Sequence, residues 1–165
     1  MTLDVCGGEI VGVAGVSGNG QMHLAEAIAG LRKVESGSLH IDGWKATNRS
    51  VRSIVDHGLA YVPEERNRDG MIKDFSISEN LIMRDPGNAA ARRSGFFRFG
   101  RIERHASRIV EDFDVKTPRR RPLSETSGGN AQKVILAREL SREPGVLVVS
   151  AADARPRHRR SRVRP

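Results

Sequence analysis

Gly15-Val16-Ser17-Gly18-Asn19-Gly20-Gln21-Met22 keeps the glycines of a phosphate-binding loop and lacks the two reactive side chains that normally close it. In the pattern G-x-x-x-x-G-K-[ST], the glycines let backbone N–H groups curl around phosphate. The Lys reaches the outer phosphates and the hydroxyl holds Mg²⁺. Gln21 and Met22 stand in those last two places. An amide donates a hydrogen bond without bringing charge, and a thioether is a poor ligand for a cation that wants hard oxygens. The loop is equipped to hold a nucleotide and badly equipped to cleave one. Taken alone, it reads equally well as a glycine-rich turn that only lets backbone pack closely. Its surroundings favour the first reading. Glu9-Ile10-Val11-Gly12-Val13-Ala14 is an apolar run of strand length ahead of it, and Leu24, Ile28 and Leu31 share a helical face behind it.

A second glycine turn lies more than a hundred residues on, at Ser127-Gly128-Gly129-Asn130-Ala131-Gln132-Lys133-Val134, and runs into Ile135-Leu136-Ala137-Arg138-Glu139-Leu140. Ser127 is placed to cap a helix whose apolar face is Val134 and Ala137, with Leu140 at its margin. The glycines would bare the first backbone N–H groups, and such an end attracts anions. The competing reading is a helix start with a flexible lead-in.

With both turns in hand, the chain resembles the ATP-binding subunits of ABC importers, and more closely the second nucleotide-binding domain of the nucleoside and simple-sugar type. The matching pieces are Gly8-Glu9-Ile10-Val11-Gly12-Val13-Ala14-Gly15 with Gly18-Asn19-Gly20-Gln21, Tyr61-Val62-Pro63-Glu64-Glu65-Arg66, Asp74-Phe75-Ser76-Ile77-Ser78-Glu79-Asn80-Leu81, Phe113-Asp114-Val115 with Thr117-Pro118, and the Ser127 to Asn130 signature. They occur in the family's order, from about Leu3 to Ser150. The resemblance implies an α/β phosphate-loop (P-loop NTPase) fold of the ABC nucleotide-binding type, present as a fragment with a helical subdomain at about residues 76–123. It further implies that two such domains are fused in the parent and sandwich ATP and Mg²⁺ between the loop of one and the signature of the other. Ser127, Gly128, Gly129, Asn130 and Gln132 would then face nucleotide held by the first nucleotide-binding domain. Gly15, Ser17, Gly18, Asn19, Gly20, Gln21 and Met22 would form the impaired site, and the glutamine for lysine exchange is itself a family trait. Glu64 falls where related domains carry a glutamine that senses Mg²⁺ and the membrane partner. Transmembrane permease subunits would be that partner, placing the protein in the cytoplasm, peripheral on the inner face of the cell membrane. Two departures stand out: Thr126 replaces the usual Leu, and Ala131 the usual Gln, of the signature.

Composition constrains the remaining classes. At 165 residues the chain can hold one core, although 38% hydrophobic and 4% aromatic content is lean for one. The single cysteine, Cys6, excludes an internal disulfide and suits a reducing compartment. No apolar run approaches the ~20 residues that cross a bilayer, and no signal peptide opens the sequence. Met1 lies close enough to Gly15 that the family's opening strands, with the aromatic that stacks on adenine, are expected to be missing. From Ala151 onward the sequence carries six Arg and one Asp, leaving +3 of the net +8 for the first 150 residues. Those last 15 residues read as a disordered, out-of-frame tail. Plausible codons for Ala152 to Arg160, shifted by one base, encode Pro-Thr-Arg-Gly-Leu-Asp, the motif the family places after a strand such as Val146-Leu147-Val148-Val149-Ser150. A mildly basic body without aromatics interleaved among its basic clusters gives no base-stacking platform, so nucleic acid is not an expected partner.

Between the glycine turns, Leu39 and Ile41 form a short strand between Ser36-Gly37 and Asp42-Gly43, and Leu59 to Val62 form another, stopped by Pro63. Ser78 is predicted to cap a helix holding Leu81, Ile82 and Met83. Ile102, Ile109, Val110 and Phe113 predict a further helix after a Gly95-to-Gly100 loop. The five histidines lack metal-ligand spacing. Without the loop Lys, a hydroxyl at position 22 or an acid directly after Val149, negligible ATPase activity is expected of this chain alone. The rival expectation is a truncated, non-functional gene product that does not fold stably, because a strand between the two identified strands of the sheet is absent.

Overall fold

A computed structural model describes residues 2–16, 18–84, 92–93 and 96–150. Ser17, Gly95 and the arginine-rich segment 151–165 lie outside the described residues.

The first element is helix α1, Gln21–Ile28, which starts on Gly20 in the left-handed region at φ 96°. It packs through the small side chains Ala25 and, just past its end, Ala29. Leu24 and Ile28 are only half-buried and Leu31 is exposed. The helix stops before reaching Leu31 because Gly30 turns the chain at φ 74°. A Cβ on Gly30 would press on Ile54 Cδ1 at 2.6 Å, so this close approach excludes larger residues. Strands β1 (His40–Ile41) and β2 (Trp44–Lys45) form an antiparallel hairpin. Its turn residues Asp42 and Gly43 have φ of 49° and 74°, matching the twist that two-residue hairpins need. Helix α2, Val51–Asp56, is capped by Ser50, whose side chain accepts from Ser53 N at 3.2 Å.

Strand β3, Leu59–Val62, is buried at all four positions and pairs in parallel with β6, Val146–Val149. A run with no polar alternation is what a strand covered on both faces requires. The chain between these two strands supplies three further helices. Helix α3, Ile77–Ile82, is capped by Ser76. Sequence reading placed the cap at Ser78; that residue instead lies inside the helix, buried, with its Oγ donating to the Arg119 carbonyl at 3.3 Å. The cap belongs to Ser76 because Glu79 stands three residues on and closes a capping box. Ser76 Oγ accepts from Glu79 N at 3.2 Å and Glu79 Oε2 accepts from Ser76 N at 2.8 Å. A two-residue antiparallel pair, β4 (Arg92–Arg93) with β5 (Phe96–Phe97), leads into α4, Phe99–Asp112. Helix α5, Gly128–Leu140, follows a 3₁₀ turn at Leu123–Glu125.

Two apolar clusters result. Ile77, Leu81, Ala106, Ile109, Val115, Leu123, Ala131, Val134 and Ala137 join α3, α4 and α5. Ala25, Ala29, Ile41, Ala46, Ile54, Leu59 and Tyr61 join α1, the hairpin, α2 and β3. Leu140, read as the margin of the apolar face of α5, is half-buried.

The predicted strand at Glu9–Ala14 does not form. Ile10 is 97% exposed, Val11 and Val13 are exposed, and no strand pairs with the segment among the described residues. A strand exists only through its ladder, and the β3–β6 sheet supplies none to residues 9–14. Apolar composition alone does not substitute for that pairing.

Candidate functional site

The two glycine turns are built differently. At the first, Gly18 and Gly20 hold φ of 91° and 96°, which favours glycine, and the tight turn is closed by Asn19 N donating to the Val16 carbonyl at 3.1 Å. Gly20 has no side chain to cap α1, and the first helical backbone bond runs from Leu24 N to Gly20 O at 2.9 Å. The N–H groups of Gln21, Met22 and His23 therefore point out of the helix start. Gln21 folds back over the loop: its Nε2 donates to the Val16 carbonyl at 3.4 Å, and a Cβ on Gly15 would collide with that amide. Met22 is exposed and offers no oxygen. Backbone donors are present, and the charge and the metal ligand are not.

At the second turn, Ser127 caps α5, its Oγ accepting from Asn130 N at 3.4 Å. Gly128 and Gly129 are exposed, and a Cβ added at either would meet nothing within 4 Å. The fold does not itself demand glycine there, and the bare helix start lets a ligand reach the backbone closely. Gln132 is exposed beside them. Asn130 has another task. Its Oδ1 accepts from Lys116 N at 3.3 Å and its Nδ2 donates to Thr117 Oγ1 at 3.2 Å, so it ties the turn to the loop before it. Lys133 Nζ donates to the Asp114 carbonyl at 2.7 Å and to its Oδ2 at 3.0 Å. That contact holds the Asp114 carboxyl below its usual range, chiefly through the hydrogen bond from Lys133. Ala131 is buried in the helical cluster. Thr126, where a Leu was expected, leaves its Oγ1 buried without a hydrogen-bond partner among the described residues.

Glu64 is half-buried, just past the carboxyl end of β3. The next residues curl into a π turn, Arg66–Gly70, whose Arg68 forms a two-point ion pair with Asp69, both contacts at 2.9 Å. The Arg68 hydrogen bond holds Asp69 below the usual carboxylate range. Tyr61, the third residue of β3, is pushed upward first by burial and then by the negative field of Glu26, Asp69 and Glu64.

Sequence reading missed the buried ion cluster beside Tyr61. Glu139 of α5 is 0% exposed, and its Oε1 accepts from Arg138 Nε at 3.0 Å and Arg84 Nε at 3.1 Å. Arg84, two residues past α3, also donates through Nη2 to the Tyr61 carbonyl at 3.3 Å. One side chain thus links α3, α5 and the end of β3. Glu139 Oε2 and Arg138 Nη1 remain buried without partners among the described residues, and burial lowers the Arg138 pKa. The signal available in sequence was a charged Arg-Glu pair inside an otherwise apolar helical pattern. Asn80, within the Asp74 to Leu81 motif, has a structural task. It is fully buried and staples the chain ahead of α3, exchanging hydrogen bonds with Ile72 N at 3.0 Å and with the carbonyls of Ile72, Phe75 and Ser76 at 2.9, 3.2 and 3.1 Å.

Among the described residues no three His, Cys, Asp or Glu side chains gather as a metal site, and no helix is long and apolar enough to cross a membrane.

The chain is 42% identical to the nucleoside import ATP-binding protein NupA of Lactococcus lactis over 151 residues, covering 91% of this chain and 30% of that protein. It is 46% identical to the glucose import ATP-binding protein TsgD13 of Haloferax volcanii over 151 residues, covering 90% of this chain and 28% of that protein. The chain thus spans less than a third of the length of these relatives. Its fold matches the dimeric structure of MJ0796, a bacterial ABC transporter cassette, with a TM-score of 0.69 at 22% identity over 89% of this chain and 62% of that one. A family model described as ABC transporter matches residues 1–150, and the protein belongs to the ABC transporter family.

Proposed function

We propose that this chain is part of the ATP-binding component of an importer for nucleosides or simple sugars, acting at the cytoplasmic face of the membrane with permease subunits. Its signature turn would complete a nucleotide site whose phosphate loop, Lys and Mg²⁺ come from the parent's first nucleotide-binding domain. The observation that carries the reading is the contrast between the two turns. Ser127, Gly128 and Gly129 present an anchored, open helix start. At the other turn the Gln21 amide closes onto Val16 and no hydroxyl follows. The relatives named as nucleoside and glucose import proteins support the substrate class, and the dimeric cassette supports a paired arrangement. Within this reading residues 76–123 form the helical subdomain that rests on the permease, and Glu64 lies at its hinge with the sheet. The rival reading, a product without a stable fold, is not favoured by two clusters of buried side chains and a family match over residues 1–150.

The test is ATP hydrolysis by the purified chain, alone and mixed with an ABC domain that has a complete phosphate loop. The chain alone is expected to give no Mg²⁺-dependent turnover, and the mixture is expected to exceed the partner alone. Gly129→Asp, which sets a negative charge where the γ-phosphate would approach, is expected to remove the gain without altering the circular dichroism spectrum. Turnover by the chain alone, or an unaffected Gly129→Asp mixture, refutes the assignment.

A further inference from the structure

Helix α4 carries its charges in the wrong order for its own stability. A helix gathers partial positive charge at its N-terminus and negative charge at its C-terminus, so acids belong in the first turn and bases in the last. Here the first turn has no acid and the last turn no base; Arg101, Arg104 and Arg108 occupy the first ten residues, and Glu111 and Asp112 end the helix. An arrangement that costs folding energy calls for a use outside the fold.

The three arginines stand at i, i+3 and i+7, on one flank of the helix, with His105 among them. All four are exposed, and the three arginines have no ion-pair partner among the described residues. The flank cannot turn inward, because Ile102, Ala106 and Ile109 bury the other side. Two exposed phenyl rings, Phe97 and Phe99, lie 6.4 Å apart at the head of the stripe. Arg92 and Arg93 are in β4, paired in register with Phe97 and Phe96. Between positions 92 and 108 the sequence holds six arginines and one acid, Glu103, which is engaged by Arg119 at 2.8 Å.

The geometry points to a docking face for an anionic phospholipid surface, with the arginines on lipid phosphates and the two phenyl rings in the headgroup layer. Charge and composition select this partner. Cytoplasmic loops of membrane proteins carry an excess of Lys and Arg, which would repel this flank, so the permease contact proposed for residues 76–123 falls on their other faces, whereas the cytoplasmic leaflet is negative. Phenyl rings placed at one end of a basic helical flank match interfacial helices, while single-stranded nucleic acid would need aromatics interleaved along the stripe. This inference goes beyond the nucleotide reading and does not depend on it.

The full chain is tested by co-sedimentation with neutral phosphatidylcholine vesicles and with vesicles that also contain phosphatidylglycerol. Binding is expected only to the anionic vesicles and is expected to weaken with salt. The triple variant Arg101→Glu, Arg104→Glu, Arg108→Glu is expected to bind about 100-fold more weakly, and the triple Arg→Lys variant within a few fold of the parent. Residues 151–165 are the same in all of these proteins, so their arginines do not contribute to the difference. The acidic variant corrects the helix charge order and is expected to melt no lower than the parent, which separates lost binding from lost folding. Phe97→Ser with Phe99→Ser is expected to reduce the binding that survives high salt. Equal affinity of the acidic variant, equal binding to neutral vesicles, or binding to a nucleic-acid duplex or an acidic protein without binding to anionic vesicles overturns the proposal.

Discussion

Replacing Glu139 by Ala tests the buried ion cluster where its energetics are most one-sided. Glu139 is fully buried and Arg138 is 2% exposed, while the Arg84 side chain keeps 23% of its surface in solvent. Removing the carboxylate strands the Arg138 guanidinium, which already has an unpartnered Nη1, in an apolar setting. An uncompensated buried charge of this kind costs about 3–5 kcal/mol, a large share of the roughly 5–15 kcal/mol that holds a domain together. Arg84→Ala leaves the Glu139–Arg138 contact at 3.0 Å intact and removes a partly solvated partner, so about 1–2 kcal/mol is expected. Replacing both members of the buried pair, Glu139→Leu with Arg138→Met, removes the charges together and is expected to fall within about 1 kcal/mol of the parent. Urea unfolding followed by far-ultraviolet circular dichroism and by the single Trp44 measures all three. A Glu139→Ala cost below about 1 kcal/mol, or a double variant less stable than Glu139→Ala, refutes the argument that stranded charge dominates this cluster.

Gly30→Ala is expected to destabilise by about 1–3 kcal/mol, because it places a Cβ at φ 74° and against Ile54; an unchanged urea midpoint contradicts the turn geometry. Thr126→Val removes the orphaned hydroxyl at nearly constant shape and is expected to raise stability by about 1 kcal/mol, read as a shift in melting temperature. Glu103 is held below the usual carboxylate range, first by the Arg119 hydrogen bond. Its contribution is complete above the unfolded pKa and is lost as pH falls through the lower folded value. The stability difference between parent and Arg119→Ala, at most about 1 kcal/mol for this partly exposed pair, is therefore expected at pH 7 and absent once Glu103 is protonated in both states. A difference that persists in strong acid contradicts the pairing.

Elements decided by local chemistry were legible in the sequence. Val146 to Val149 and Leu59 to Val62 are continuous apolar runs bounded by turn residues, and both form strands. Asp42-Gly43 marked the end of a short strand through Leu39 and Ile41, which forms as His40–Ile41, while its hairpin partner Trp44–Lys45 carries no strand pattern of its own; Ser127 fixed the start of α5. The misread cap at Ser78 came from weighing the serine alone; the decisive residue was Glu79, which suits Ser76 and not Ser78. The strand at Glu9–Ala14 was read from composition, yet pairing is a property of the sheet and no ladder reaches that segment. Arg84 escaped notice because its partners lie 23 and 55 residues away, at a distance no local pattern encodes.

The same distinction between local and tertiary support separates the two glycine turns as candidates for phosphate. The loop at Gly15 is approached by a segment with few ties, among them Glu9 N to the Cys6 carbonyl at 3.1 Å and Cys6 N to Glu9 Oε2 at 2.8 Å, and its apolar side chains face solvent. The turn at Ser127 is fixed from three directions. Asn130 binds the 116–117 backbone and hydroxyl, Lys133 binds Asp114, and Ala131 and Val134 sit in the helical cluster. Ordering a loop at the moment of binding subtracts from affinity, so donors already held in place bind an anion at lower cost than donors that must first be gathered. The segments Phe113-Asp114-Val115 and Thr117-Pro118, which carried much of the family resemblance, touch no nucleotide in this reading. Through Asn130 and Lys133 they anchor the start of α5, so under the proposed function Asn130→Ala is expected to lower the stimulation of a partner domain's ATP hydrolysis before it lowers the melting temperature.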